Sequence, residues 1–378
     1  MLFRSRPGVS ASSSLSNGYF AGGSSGNTNI SRLNFSNETA SLLTNALSQA
    51  TFDFDGTSAR ESIFKGRDAK TYGYTFGYDG PLNSSSIISR VSFSTDVVSD
   101  LTNNLPTSVA RSSAVSTNSY GYIAGGVQKS PPADYSGIMR FDFFGEYASD
   151  MPAVLPTTLA DQATISNNSY GYFVGGIDTS LTPQAESGYT IRLEFYNETI
   201  RLTPKVLLTP VGPPARTNMG GVSSNSYGYI AGGSDFAPLT GTNTYNTINR
   251  LDFSTETYSL PGKNLPADRY QFATTSNNSY GYFGGNRVSS STISRIDFSN
   301  ETNSLPGKNL TTPTRWQLAA ASSGSSGYFI GGTGLSPLPS PVIFCTIDRL
   351  DFSTETCSNP GNYLTSAKPS FAALSNSN

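Results

Sequence analysis

The chain has 378 residues, a formal net charge of −2 and only 13% charged residues, so it offers neither a broad basic field for nucleic acid nor an acidic tail. It contains no histidine, which excludes Ser-His-Asp and Cys-His catalytic groups, His-ligated zinc and His-containing copper sites, and its two cysteines are too few for a Cys-rich metal site. No run approaches 18 consecutive apolar residues, so no membrane-spanning helix is expected, and neither is a cofactor.

From the N-terminus, "MLFRSRPGVSASSS" lacks the apolar stretch of a secretory signal and contains a strand-like "VSASSSLSN" behind Arg6. A phrase then opens with "GYFAGG" at Gly18 and returns as "YGYTFG" at Tyr72, "YGYIAGG" at Tyr120 and "YGYFVGG" at Tyr170. It comes back as "YGYIAGG" at Tyr227, "YGYFGG" at Tyr280 and "GYFIGG" at Gly327. Each copy is followed by a second phrase: "ISRLNF", "ISRVSF", "IMRFDF", "TIRLEF", "INRLDF", "ISRIDF" and "IDRLDF". The anchor tyrosines Tyr19, Tyr74, Tyr122, Tyr172, Tyr229, Tyr282 and Tyr328 lie 46 to 57 residues apart. A self-similar period of this size overrides any single-segment reading.

Both phrases alternate like strands and are rich in aromatic and β-branched residues, and no window holds a 3.6-residue apolar period. In the sixth unit the pattern predicts strands over Gln271 to Ser276, Tyr280 to Gly285 and Ile293 to Phe298, with a short fourth strand around Thr302 to Leu305. "FSNET" and its relatives supply tight-turn chemistry between the third and fourth. Four strands per period of about 50 residues is a kelch-type blade, which must stack to bury both faces. The expected fold is all-β: a seven-bladed kelch-like β-propeller with four antiparallel strands per blade, over residues 13–378, preceded by a free arm at 1–12.

Within this frame "FDFDGTS" (Asp53, Asp55, Thr57) is the one metal-like stretch, but it lacks the later acid of a calcium loop and reads as a turn in an insertion between the first two units. No metal is expected. The Asn-x-Ser/Thr sites at Asn37, Asn197 and Asn300 fall in the turn after the third strand, and turn chemistry accounts for them. Cys357 should face Leu350, which leaves Cys345 about 16 Å away along the strand, so both cysteines are expected to be free.

An arginine stands in the third strand of every unit: Arg32, Arg90, Arg140, Arg192, Arg250, Arg295 and Arg349. Acids follow two residues on (Asp142, Glu194, Asp252, Asp297, Asp351) and again in the next turn (Glu38, Asp96, Glu198, Glu256, Glu301, Glu355). A ring of arginines could grip an anion. Sevenfold recurrence at a framework position instead favours structural pairing, within a blade or between blades.

The segments between Gly-Gly and the third strand differ most from unit to unit, and variable loops on a rigid scaffold are where binding function lives. Tyr135, Tyr189, Phe236 and Tyr245 supply flat aromatic area there, suited to sugar rings or protein surfaces.

An Arg ahead of the first strand (Arg111, Arg216, Arg269, Arg315), the Gly-Gly and the aromatic closing the third strand match the kelch pattern, although the usual fourth-strand Trp is missing. The wording "YGYFGG…ISRIDFSNETNSLPGKNLP" is similar to repeats of virion and tail-fibre proteins of cyanophages and other marine phages. The resemblance implies a non-enzymatic structural or adhesion protein of a phage virion, of tail-fibre, baseplate or capsid-decoration type. Its partners would be other virion proteins and a host surface glycan or protein. The alternatives are a cytoplasmic kelch-like interaction scaffold and a carbohydrate-binding lectin. The chain end "SFAALSNSN" copies "QFATTSNNS", and a kelch ring can close with such a C-terminal copy, which would leave the N-terminal one spare as a tether.

Overall fold

The computed structural model describes residues 9–13, 17–22, 30–43, 55–58, 72–79, 84–92 and 98–359, the last without 110–111, 118, 130–131, 182–184, 209–214, 236–242, 288–290, 308, 312–314, 317–318, 323–325, 331–332, 336–340 and 345. These residues are all-β, with no helix, and form seven four-stranded antiparallel sheets together with small two- and three-stranded sheets. Each four-stranded sheet is a meander in chain order. In the sixth, Ala273–Ser276, Tyr280–Gly284, Ile293–Asp297 and Asn303–Ser304 pair in succession, within two residues of the expected bounds. The arrangement is propeller-like.

The sheets are covered on both faces, which explains why the third strand does not alternate cleanly between apolar and polar. Ile293, Ser294 and Ile296 are all essentially inaccessible, because one face of the strand meets the preceding sheet and the other the following one. Aromatic pairs recur at these joints. Tyr229 of the fifth sheet stacks on Phe298 of the sixth with ring centroids 5.3 Å apart, and Tyr122–Phe195, Tyr172–Phe253 and Tyr282–Phe352 repeat the contact at 5.3 to 5.5 Å. Burying such a ring stabilises by roughly 2–3 kcal/mol, and the stacked geometry adds about 1. The buried clusters accordingly straddle neighbouring sheets: Val222, Tyr229 and Ile248 of the fifth pack with Phe283 and Ile296 of the sixth.

The first strands of consecutive sheets lie side by side, and the one at Val9–Ser13 lies beside both Asp55–Ser58 of the second sheet and Ala319–Ser322 of the last. Two expectations are corrected here. Val9–Ser13 pairs with Asn17–Gly22, from Val9 opposite Gly22 to Ser13 opposite Gly18. Residues 9–12 therefore belong to the first sheet rather than to a free arm, while residues 1–8 and the C-terminal copy at 371–378 lie outside the described residues. "FDFDGTS" is likewise no insertion turn, because Asp55–Ser58 is the first strand of the second sheet, paired from Asp55 opposite Phe76 to Ser58 opposite Gly73. Its companion Asp53 lies outside the described residues.

Candidate binding face

The repeat arginines come first, because they decide which chemistry is left over. Every one stands opposite an anchor tyrosine in the strand register: Arg32 opposite Tyr19, Arg90 opposite Tyr74, Arg140 opposite Tyr122, Arg192 opposite Tyr172, Arg250 opposite Tyr229, Arg295 opposite Tyr282 and Arg349 opposite Tyr328. Among the described residues, five pairs join such an arginine to a glutamate in the turn of the next sheet. Arg140 meets Glu198 at 3.0 Å, Arg192 meets Glu256 at 2.5 Å and Arg250 meets Glu301 at 2.7 Å, while Arg295 pairs with Glu355 and Arg349 with Glu38 of the first sheet. The buried hydroxyls of Tyr122, Tyr172, Tyr229 and Tyr282 donate to four of the same carboxylates, at 3.1 to 3.3 Å. Desolvation, then the adjacent glutamate, pushes these phenols well above their usual range, so they remain donors at any ordinary pH. Each guanidinium of Arg140, Arg192, Arg250 and Arg295 also lies 4.4 to 4.8 Å over the ring of Tyr120, Tyr170, Tyr227 or Tyr280.

The glutamates accept an unfavourable backbone to do this. Glu38, Glu198, Glu256, Glu301 and Glu355 all have φ between 51 and 57°, where a residue with a side chain costs about 1–2 kcal/mol, and Glu146 has φ 53° at the same turn position. Glycine would suit the turn and lose the pair. The acid two residues after the arginine serves the turn: Asp252 Oδ1 accepts from the Ser254 and Thr255 amides and the Ser254 hydroxyl, and Asp351 Oδ1 repeats this with Ser353 and Thr354 while its Oδ2 accepts from Arg349 at 3.4 Å. Asn37, Asn197 and Asn300 each accept from the amide and hydroxyl of the threonine two residues on.

At the other end of the sheets the Gly-Gly loops build extra pairing of their own. Val127–Lys129 pairs with Pro132–Asp134, and Ile177–Asp178 pairs with both Leu159–Ala160 and Ala185–Glu186. Tyr135 folds back against Gly137, and its hydroxyl lies 3.4 Å from Asp150 Oδ1; desolvation, with Asp150, raises the phenol to about 12. Tyr245 donates to Asp235 Oδ2 at 2.6 Å and lays its ring over Arg216, so it is part of the loop's own framework. Tyr189 opens its strand and remains 43% exposed, which makes it the ring available to a ligand among these three. Phe236 lies outside the described residues.

The opposite end carries two side chains that the sequence reading passed over. Phe144 and Tyr196 are 85% and 98% exposed, at the turn position where Ser36, Ser254, Ser299 and Ser353 stand in other units. The signal was a large aromatic replacing serine in two consecutive copies of an otherwise constant turn. Cys357 stands opposite Leu350 as expected and is a free thiol, pushed up to about 12 by burial, whereas Cys345 lies outside the described residues. Among the described residues no helix is long and apolar enough to cross a membrane, and no three His, Cys, Asp or Glu side chains gather to hold a metal.

No protein-family model matches the chain, and no curated protein matches it. Its fold is nonetheless shared with known structures. A solved structure of the protein YjhT superposes with a TM-score of 0.58 over 90% of this chain and 97% of that one, at 12% identity. At that identity the likeness shows the fold alone, and the fold is propeller-like.

Proposed function

We propose that the chain is a closed seven-bladed kelch-like propeller serving as a non-enzymatic structural or adhesion protein of a phage virion. It binds a host surface or neighbouring virion subunits through the loop face. The observation that carries the reading is the division of labour among its polar groups. The repeated arginines, tyrosines and glutamates are engaged in one joint that recurs from sheet to sheet, including Arg349 with Glu38 between the last sheet and the first. Chemistry that differs between units is left to the loops, which suits recognition more than a sevenfold catalytic device. The absence of histidine narrows the catalytic options further. The virion assignment is supported by the likeness of "YGYFGG…ISRIDFSNETNSLPGKNLP" to phage repeats. Mass spectrometry of purified particles tests it: the chain should be recovered with the particle, and its absence there would favour the cytoplasmic scaffold.

Tyr189 and Phe236 are the positions to change for the binding claim, because Tyr135 and Tyr245 are tied into their own loops. Tyr189→Ser with Phe236→Ser should leave the melt unchanged and lower attachment or particle assembly. A glycan array read with the same protein separates a lectin from a protein-binding face. A second reading has the turn face as the docking surface, favoured by the exposure of Phe144 and Tyr196 on adjacent sheets. In that case Phe144→Ser with Tyr196→Ser, rather than the loop variant, abolishes assembly.

A further inference from the structure

The repeat supplies its own controls for the arginine ahead of each first strand. Four residues before that strand stand Val109, Leu159, Arg216, Arg269 and Arg315. The last four are aligned by a shared backbone bond: each carbonyl accepts from an amide of the preceding sheet's glycine loop, Gly126, Gly176, Gly233 or Asn286, at 2.7 to 3.0 Å. Arg111 is therefore two residues out of register with this position and lies outside the described residues. Arg216, Arg269 and Arg315 are all fully or almost fully buried. Their Nη1 atoms behave alike, donating to the carbonyls of Thr247, Thr292 and Thr346.

Their Nη2 atoms do not behave alike. Arg269 Nη2 donates to Thr292 Oγ1 at 2.6 Å, and Arg315 Nη2 pairs with Asp348 Oδ2. Arg216 Nη2 is buried and has no partner. The residue corresponding to Asp348 in the fifth sheet is Asn249, also 0% exposed. The two are held the same way: Asp348 Oδ1 accepts from the Thr311 amide at 3.0 Å, and Asn249 Oδ1 accepts from the Leu208 amide at 2.7 Å. That amide pins the orientation of Asn249. Its Nδ2 then occupies the place of the oxygen that neutralises Arg315, and Nδ2 too is buried without a partner. By correspondence with Arg315 and Asp348, a donor stands where the last sheet has an anion, on the side that Arg216 Nη2 would address.

We propose that the fifth sheet holds a small monovalent anion of chloride's size between Arg216 Nη2 and Asn249 Nδ2. The ion takes the role that the Asp348 carboxylate oxygen plays in the last sheet. A water molecule would accept from both donors, yet it brings two protons that need acceptors of their own, and it leaves the guanidinium uncompensated. An anion accepts from both and supplies the missing charge. Burial lowers the guanidinium of Arg216 as it does those of Arg269 and Arg315, so what sets Arg216 apart is the unpartnered Nη2. Tyr245 and Tyr258 face this guanidinium, and Asp235 is engaged by Tyr245 and Asn243.

The test compares thermal unfolding of the whole chain in sodium chloride with that in sodium gluconate at matched ionic strength. The wild type should melt about 2 °C higher in chloride once the site fills. Asn249→Asp should melt above the wild type in gluconate and lose the difference between the salts, because it carries its own anion. Equal wild-type melting in the two salts would overturn the proposal, as would a chloride response that survives in Asn249→Asp. Crystals grown in bromide provide the second measurement, with an anomalous peak expected between Arg216 and Asn249. Its absence there would remove the site even if the variant failed to fold.

Discussion

At the scale of the residue, the glutamate in the left-handed turn is the most informative feature. Glu301 ties Arg250 and Tyr229 of the preceding sheet to its own, and it does so from a backbone conformation that glycine would adopt freely. Arg250→Ala should therefore cost about 2–3 kcal/mol, read from denaturant unfolding, because the half-buried carboxylate keeps only the tyrosine. Glu301→Gly relieves about 1 kcal/mol of backbone cost but strands the arginine and the phenol, so it should also destabilise; a gain in stability would show the joint to be unimportant. The turn aspartates give a pH signature. Asp252, Asp297 and Asp351 are held below the usual carboxylate range, first by the serine hydroxyl two residues on and then by turn amides, Asp351 to about 2. Their contribution is present above about pH 4 and is lost as pH falls through the depressed folded values. Asp351→Asn should flatten part of the acid limb of a stability–pH curve.

At the scale of the element, the strand pattern was legible because tyrosine, glycine and β-branched residues recur with fixed spacing. The third-strand arginines and turn glutamates were equally legible as partners. What the one-dimensional pattern could not say was that the pairs join different sheets, since residues 51 to 64 apart in sequence meet only after the sheets stack. "FDFDGTS" was misread because its acids and glycine resemble a turn, whereas pairing with Tyr72–Asp79 overrides that local preference. Asn249 gave no signal at all, because the bond that orients it comes from Leu208, which arrives from a neighbouring loop. The glycine that ends the second strand is testable. Gly232 has φ +65, and a Cβ there would fall against the Arg269 carbonyl oxygen and the Phe272 ring, whereas Gly262, at φ +75, has open space around it. Gly232→Ala should cost several times more stability than Gly262→Ala, which should lose only about 1 kcal/mol. Equal losses would mean that the loop can retreat.

At the scale of the whole molecule, Val9–Ser13 lies beside the first strands of both the second sheet and the last, which supports the proposed ring. Duplicate first-strand sequences at both termini left the closing copy open in the sequence, since either matches the pattern. Pairing of Val9–Ser13 with Asn17–Gly22 assigns the N-terminal copy to the first sheet. Removing residues 1–13 should therefore unfold the first sheet and weaken its joint with the last, where Arg349 meets Glu38. An experimental density map viewed along the ring axis tests this most directly. The account predicts seven four-stranded sheets without a gap, the first seated against the last and Val9–Ser13 filling the innermost position. Six or eight sheets, or an open gap between the first and the last, would contradict it.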